Sequence, residues 1–592
     1  MRTVVLGIGA LLSFCAHAGP SLVFSETDLP VLRQRCETGP TRAIWSKILA
    51  NAETLCTPGD AGYADPASVS TGGEHRPDKL QGNVYGGRLR HWMETLGFAY
   101  WITGEERFAD HARKLLVATA KAFPPDQPPM RDAYMDGWGN MMRGLAFGID
   151  FFGDSLDAQQ RKLVQDYAAA YLDAYCSKLG EPTIWWRPYH NYSGISGGGA
   201  GLLAIAMERW GGDASARWRE PIRNSVEQWL TLGFDVQGAY CEGTSYAEYG
   251  LGNTVAFMHA LRRRGYADLF THPRIKMIPQ FFAMSMVPGE VAFDPRNDSH
   301  GKPLSDPFML SIANATGDRL ALWFDRACSA EPSSWLSIVW AMDGVPRSAS
   351  DAGLPNAIFY PGRGLLVCRT GWTQSDWMFA IEAGPFYRKT HNQADKGHFT
   401  LYGRGVKWAI DSGYGNTQEP DGAAQTLAHN CILIDGQGQA LSGAGLGTYG
   451  RVLSCDISKN PATILLDCTD AYRRNSDGLK HLDLKHAHRE ATFHWPVGDA
   501  PGRVTISDDI VVDEREHTFT WLLQTDANNT VHFDESSSTI ILNSPQGEPL
   551  TIALRASSSI RFSVEPYRDH QRIRAETTAV NPAFVATIVL AP

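Results

Sequence analysis

Residues Phe386 to Gly415 read FYRKTHNQADKGHFTLYGRGVKWAIDSGYG. Within them Phe399, Leu401, Val406, Trp408 and Ile410 recur largely at every second position, the period of a strand that buries one face. The expectation is a long strand with glycines on either side. Ahead of it stand Arg388, Lys389, His391, Asp395 and His398, and after it Asp411, so one segment gathers side chains that hold protons, anions or metals. A purely structural reading is also open, with the apolar residues filling a sheet core and the polar ones occupying turns.

The period of two continues to the end of the chain. The runs GLLVCRT, WMFAIEAG, NCILIDG, RVLSCDIS, TILLDCT, HREATFHW, RVTISDDIVV, HTFTWLLQT, STIILNS, PLTIALRA and VATIVL are short, rich in Val, Ile, Thr and aromatics, and separated by Gly, Asp and Asn. They predict antiparallel sheets arranged as a sandwich. Toward the N-terminus the period changes to that of a helix. In RLRHWMETLGFAYWITGEERFADHARKLLVATAKAF, one stripe holds Trp92, Leu96, Phe98 and Ala99 and the next holds Phe108, Ala112, Leu115, Leu116 and Phe123, with a break at Thr103-Gly104. Helix, short turn, helix, repeated, is the pattern of an α/α toroid, or incomplete α/α barrel. The predicted fold is α+β and multidomain, a toroid over residues 19–345 followed by an antiparallel β-sandwich over 346–592. A ligand cleft is expected where two domains meet.

The chain has 592 residues and a net charge of -10, which disfavours nucleic acid as the main partner because phosphate binding needs a basic field. The opening MRTVVLGIGALLSFCAHAGP carries a cation at Arg2, an apolar run and Ala-His-Ala ending at Ala18, the pattern of a signal peptide cleaved after Ala18. A periplasmic or secreted protein follows from that pattern. No later apolar run is long enough to span a bilayer. Beyond the leader the cysteines are odd in number and none forms a CxxC, so neither a zinc ribbon nor a dense disulfide scaffold is indicated. Cys36 with Cys56 is one conceivable local bridge.

Three clusters carry candidate chemistry. TIWWRPYHNYSGISGGGAG sets Trp185, Trp186, Arg187, Tyr189, His190, Asn191 and Tyr192 just before a glycine-rich helix start. Aromatic faces suit sugar rings and Arg187 suits a carboxylate or sulfate, although the same residues can be a buried tryptophan pair with a core histidine. In QGAYCEGTSYAEYG, Glu242, Tyr246 and Tyr249 fall on consecutive turns if the segment begins a helix. There a tyrosine can pass protons when neighbouring cations lower its pKa, or it can be packing. The third cluster is the opening segment with QTLAHNCILIDGQG. Its His391, Asp395, His398, Asp411 and His429 can meet on adjacent strands, and such a mixed set suits zinc or a similar divalent ion in a structural role.

Together EGTSYAEYG, HNQADKGHFTLYGRG, DSGYG and HNCILIDG resemble, in order, the motifs of the heparinase II/III-like polysaccharide lyases, over nearly the whole mature chain. The resemblance implies an α/α toroid joined to a β-sandwich, and β-elimination on uronic-acid polysaccharides that leaves an unsaturated uronate. It assigns Tyr246 as the catalytic tyrosine, His391 as the sheet-domain histidine, and His190 with Asn191 as the toroid-side pair. It also assigns Asp411 and His429 as metal ligands. Many relatives carry a second histidine two places after the first. Here Gln393 stands in that place, able to ligate through its carbonyl oxygen, and His398 is the further donor. Substrate contacts fall to Trp185, Trp186, Arg187, Glu242, Tyr249 and Arg388.

The chemistry explains these residue types. Removing the C5 proton of a uronate requires donors on its carboxylate, a base at C5 and an acid at O4. In the family's pattern tyrosine is the acid, and also the base when both groups lie on one side of the ring, while histidine is the base when they lie opposite. The polymer itself stays open among glycosaminoglycans (heparan sulfate, hyaluronan, chondroitin) and alginate. Two other readings stand beside this one. The first is a toroid glycoside hydrolase using paired carboxylates such as Asp136 and Glu242; the second is a carbohydrate-binding protein without turnover.

Overall fold

The computed structural model describes residues 19–590, apart from 71–78, 123–134, 181–186, 330–333, 386–390, 416–421, 441–448, 476–477 and 480–482. Two compact units divide the chain. One holds Met1–Lys178, Gly198–Arg223 and His259–Tyr266, and the other Leu179–Gly197, Asn224–Met258 and Ala267–Pro592.

The first unit is helical. Its long helices Lys79–Thr103, Glu106–Ala122, Met135–Phe152 and Ala158–Lys178 follow the 3.6-residue stripes of the sequence. The expected break falls where the Thr103-Gly104 pair stands, because Gly104 takes φ +75°, open to glycine at little cost. Leu96, Phe98, Ala99, Phe108, Ala112, Leu115 and Leu116 are fully buried. Trp92 is half-buried and Phe123 lies outside the described residues. Between Lys79–Thr103 and Met135–Phe152, Arg143 Nε meets Glu94 Oε1 at 2.6 Å with both groups buried, a pairing whose loss of one partner costs about 3–5 kcal/mol.

The second unit carries the sheets, and every strand pair in them is antiparallel. Among the described residues five strands, from Ala357–Tyr360 to Val406–Ala409, form one sheet in chain order; eight form a second and four a third, with a further two-stranded pair. Apolar residues from the five-stranded sheet (Leu366, Phe379, Phe399), the eight-stranded sheet (Ile464, Val504, Ile588) and the four-stranded sheet (Ile432, Trp521, Ile573) share one core. Layered sheets with alternating inward residues are the sandwich that the period of two requires.

One expectation is corrected. The predicted long strand is a hairpin, Phe399–Gly403 paired with Val406–Ala409. Arg404 and Gly405 between them take φ +58° and +74°, the two left-handed positions of a tight hairpin turn whose twist matches that of the strands.

Three features of this unit set up the site. The helix Asn191–Ala206 begins next to His190, the helix Thr244–Arg263 begins two residues after Glu242, and a loop carries Asn297 and Asp298. Gly243 takes φ +86°, and a Cβ there would lie 2.7 Å from Ser299 Oγ, so only glycine lets the Glu242 turn approach that loop. Arg363 then ties the pieces together. Its guanidinium donates to the carbonyl of Cys241 at 2.7 Å, to Asn297 Oδ1, and to Glu382 Oε2 at 2.6 Å.

Candidate active site

Tyr246 lies on the first turn of Thr244–Arg263, and its ring stacks on His391 with 3.5 Å between centroids and 12° between planes. Its hydroxyl lies 3.1 Å from that of Tyr414, and Tyr414 in turn stacks on His300 at 4.4 Å. His391 also neighbours His190, with ring centroids 6.0 Å apart. Tyr249, one turn on, is 37 % exposed, and its carbonyl accepts from Asn253 Nδ2. Tyr246 is thus the tyrosine that the fold sets against the sheet-domain histidine.

Asp298 orients His391. Its Oδ2 lies 2.8 Å from His391 Nδ1. Its Oδ1 accepts from Gln393 Nε2 at 2.8 Å and from the Gly415 amide at 3.3 Å. A carboxylate on Nδ1 holds the proton on that nitrogen and leaves the Nε2 lone pair free, the tautomer a base needs. Gln393, expected among the metal ligands, spends its amide hydrogens on Asp298 and on the Gly413 carbonyl. It therefore supports the Asp298–His391 pair.

Around His190 the pattern is complementary. Its Nδ1 accepts from the Tyr192 amide at 3.1 Å, which places the ring proton on Nε2, 3.7 Å from Glu242 Oε1. Asn191 is fully buried; its amide N–H and its Nδ2 both donate to Glu242 Oε2, at 2.9 and 2.8 Å, and Tyr240 OH joins them at 3.1 Å. Glu242 is fully buried as well. The expectation that it shares a helix face with Tyr246 and contacts substrate is corrected: it precedes the helix and anchors Asn191. Its Oε1 and Asn191 Oδ1 remain buried without hydrogen-bond partners.

Arg187 is half-buried, with its guanidinium 3.3 Å from the Tyr189 hydroxyl. Trp185, Trp186, Arg388 and Lys389 lie outside the described residues, as does the leader. Asp136 stands in the first turn of the helix Met135–Phe152, and its side chain is outside the described set.

The expectation that cations lower the Tyr246 pKa is also corrected. Burial pushes it well above the ordinary phenol value, and the hydrogen bond with Tyr414 and the charges of Asp298 and Glu242 push it further. A phenol so placed keeps its proton until a strong base forms beside it, which suits an acid.

The second group of protic side chains is His398, Asp411 and His429, all buried, with ligand atoms within 4.8 Å of one another. His398 Nε2 and His429 Nδ1 lie 3.0 and 3.2 Å from Asp411 Oδ2. Burial alone would raise the Asp411 pKa, but His429 and His398 more than offset it and hold the carboxyl well below the usual range. His429 is raised, since Asp411 outweighs its burial. Nε2 of His429 is buried and makes no hydrogen bond, while Nε2 of His398 faces Asp411. A carboxylate with two buried histidines fits a divalent ion of zinc's type. His429, with Nδ1 on Asp411, ligates through Nε2 once it gives up the proton that Asp411 favours. His398, whose Nδ1 accepts from the Asn430 amide at 2.9 Å, must shift its Nε2 proton to Nδ1 and give up that bond to ligate.

Asp298, Tyr414 and His300 escape the reading of the sequence as site residues. Tyr414 stands in the DSGYG motif and is a visible candidate, whereas Asp298 sits in DPRNDSHG, a polar loop with no period and no spacing that points to His391.

Residues 360–590 match the family described as Heparinase II/III-like, C-terminal. Among solved structures, a heparinase III aligns over 92% of this chain and 84% of its own, with a TM-score of 0.64 and 12% identity. A heparan sulfate lyase from Pedobacter heparinus aligns over 93% and 83%, with a TM-score of 0.63 and 13% identity. A search of curated proteins finds no match. The helical region followed by antiparallel sheets is the fold of these structures. Residues 360–590 thus match the heparinase II/III-like C-terminal family, and the fold of the heparinase III structures is shared along nearly the whole length.

Proposed function

We propose that the protein is a polysaccharide lyase that cleaves uronic-acid polymers by β-elimination. The observation that carries this reading is the paired arrangement of an Asp298-held His391 and a Tyr246 kept protonated by its surroundings. His391 Nε2 takes the C5 proton, Tyr246 gives its proton to the O4 leaving oxygen, and the C4–O4 bond breaks as the C4–C5 double bond forms. His190, with its proton on Nε2, donates to the uronate carboxylate as charge builds there. Asn191 and Glu242 set the orientation of the loop beside it.

The substrate class is an acidic polysaccharide, a glycosaminoglycan or alginate. Arg187 supports the choice of an anionic chain. We assign Asp411, His429 and His398 to one divalent ion, zinc by its donor set, which would tie the strand ends together without entering the reaction. The Ala18 cleavage pattern supports export, and no described helix is long and apolar enough to cross a membrane.

Mass spectrometry of the products tests the reading. Elimination yields one fragment lighter by a water than hydrolysis would give. Products that all carry the added water would replace the lyase with a hydrolase.

A further inference from the structure

The proposed chemistry ends with a proton on His391 and none on Tyr246, so each turnover requires the pair to be reset. Direct return between them is blocked by geometry. Their rings lie face to face, 3.5 Å apart and 12° from parallel. The imidazole N–H and the phenol oxygen both lie in their ring planes, and a transfer needs the hydrogen aimed at the acceptor, which parallel stacked rings do not allow.

The hydrogen bond of the Tyr246 hydroxyl runs the other way, to Tyr414 OH at 3.1 Å. Tyr414 is 40 % exposed, and its ring is stacked on the exposed His300. A half-buried acid thus touches a more exposed hydroxyl of the same chemical kind.

We propose that Tyr414 is a proton relay, reloading Tyr246 from solvent after each elimination. This rests on the lyase reading above. In the relay step the Tyr414 O–H bond breaks and its proton forms the new O–H bond of the Tyr246 phenolate. The Tyr414 phenolate then takes a proton from a buffer acid or hydronium at the surface. His391 Nε2 releases the C5 proton to solvent, so the enzyme returns to its starting state with no net change. The surroundings that keep Tyr246 protonated favour the first transfer, and the exposure of Tyr414 makes the second accessible. Tyr414 acts through Tyr246 and needs no contact with the sugar.

The test compares wild-type protein with Tyr414→Phe on a uronate polymer that the wild type cleaves, first in a single turnover by rapid mixing and then in steady state at rising imidazole buffer concentration. The relay predicts a first turnover within about threefold of wild type and a steady-state rate lower by about tenfold or more. It also predicts an unchanged KM and recovery of the rate as buffer rises, while the wild type does not respond to buffer. Equal slowing of the first and later turnovers without buffer rescue would make Tyr414 a packing partner of Tyr246 and overturn the relay; so would a variant as fast as wild type. A wild type that eliminates no uronate polymer would instead remove the lyase reading, and the relay with it. Equal melting temperatures for the two proteins exclude misfolding as the cause.

Discussion

Tyr246 and His391 stack ring on ring at 3.5 Å, while Asp298 holds Nδ1 of the histidine at 2.8 Å. The proposed acid and base are therefore separate residues, and each can be removed without the other.

Tyr246→Phe deletes one hydroxyl whose bond to Tyr414 is partly solvated, so the melting temperature is expected to shift by the equivalent of about 1 kcal/mol or less. Turnover is expected to fall by about a hundredfold or more with KM little changed, the scale of a lost general acid. Steady-state kinetics beside a thermal melt checks this, and a fully active variant would move the acid elsewhere, with Tyr249→Phe the next measurement.

Asp298→Asn keeps shape but removes the charge that sets the His391 tautomer. Turnover is expected to drop by about a hundredfold or more, as when the orienting carboxylate of a catalytic histidine is neutralised, while the fold persists through the Gln393 and Gly415 contacts. Circular dichroism and kcat on the same preparation separate the two effects. Retention of kcat within a factor of two would mean that Asp298 only braces the loop.

Arg363 is buried and paired with Glu382 at 2.6 Å. Burial alone would raise the Glu382 pKa, but Arg363, Arg296 and Lys396 hold it below its ordinary 4.5. A depressed carboxyl stabilises the fold above that ordinary value, and the contribution fades as pH falls toward the folded-state value. Wild-type melting temperature is therefore expected to decline below about pH 4.5. Arg363→Met strands Glu382 and is expected to cost about 3–5 kcal/mol at pH 7, with the gap to wild type narrowing in acid as Glu382 takes up a proton. Melts at pH 7 and pH 4 decide it; a gap that widens in acid contradicts the assignment.

The His398–Asp411–His429 group predicts one divalent ion per chain. Elemental analysis of protein purified without added metal should find it, and chelation should lower the melting temperature far more than it alters the choice among polymers. Because a metal must displace the proton that Asp411 helps His429 to hold, affinity should rise with pH. Protein free of stoichiometric metal and indifferent to chelators would leave the group as a hydrogen-bonded pin.

The fold is legible where periodicity is strong. Phe108 to Leu116 and the break at Gly104 can be read directly, as can runs such as RVTISDDIVV. The strand His570–Ala579 cannot, because HQRIRAETTA hides Ile573 and Ala575 among charged residues that find partners only in the folded sheet, such as Arg572 with Glu565. The hairpin at Arg404-Gly405 merges into one strand on the page, since the alternation resumes on both sides of the turn. In the site, Tyr246, His391 and His190 stand in recognisable motifs. Asp298 is distant in sequence from the histidine it orients, and nothing local encodes that contact. Glu242 is visible, but its role as an anchor for Asn191 depends on a turn that only Gly243 permits.

The most direct measurement is the ultraviolet absorbance of purified protein mixed with a panel of uronate polymers, heparan sulfate, hyaluronan, chondroitin and alginate among them. The account predicts a steady rise from the conjugated C4–C5 double bond on at least one polymer, abolished by His391→Ala in a variant that still melts cooperatively. Cleavage of a polymer with no rise in absorbance, or an undiminished rise from that variant, would contradict it.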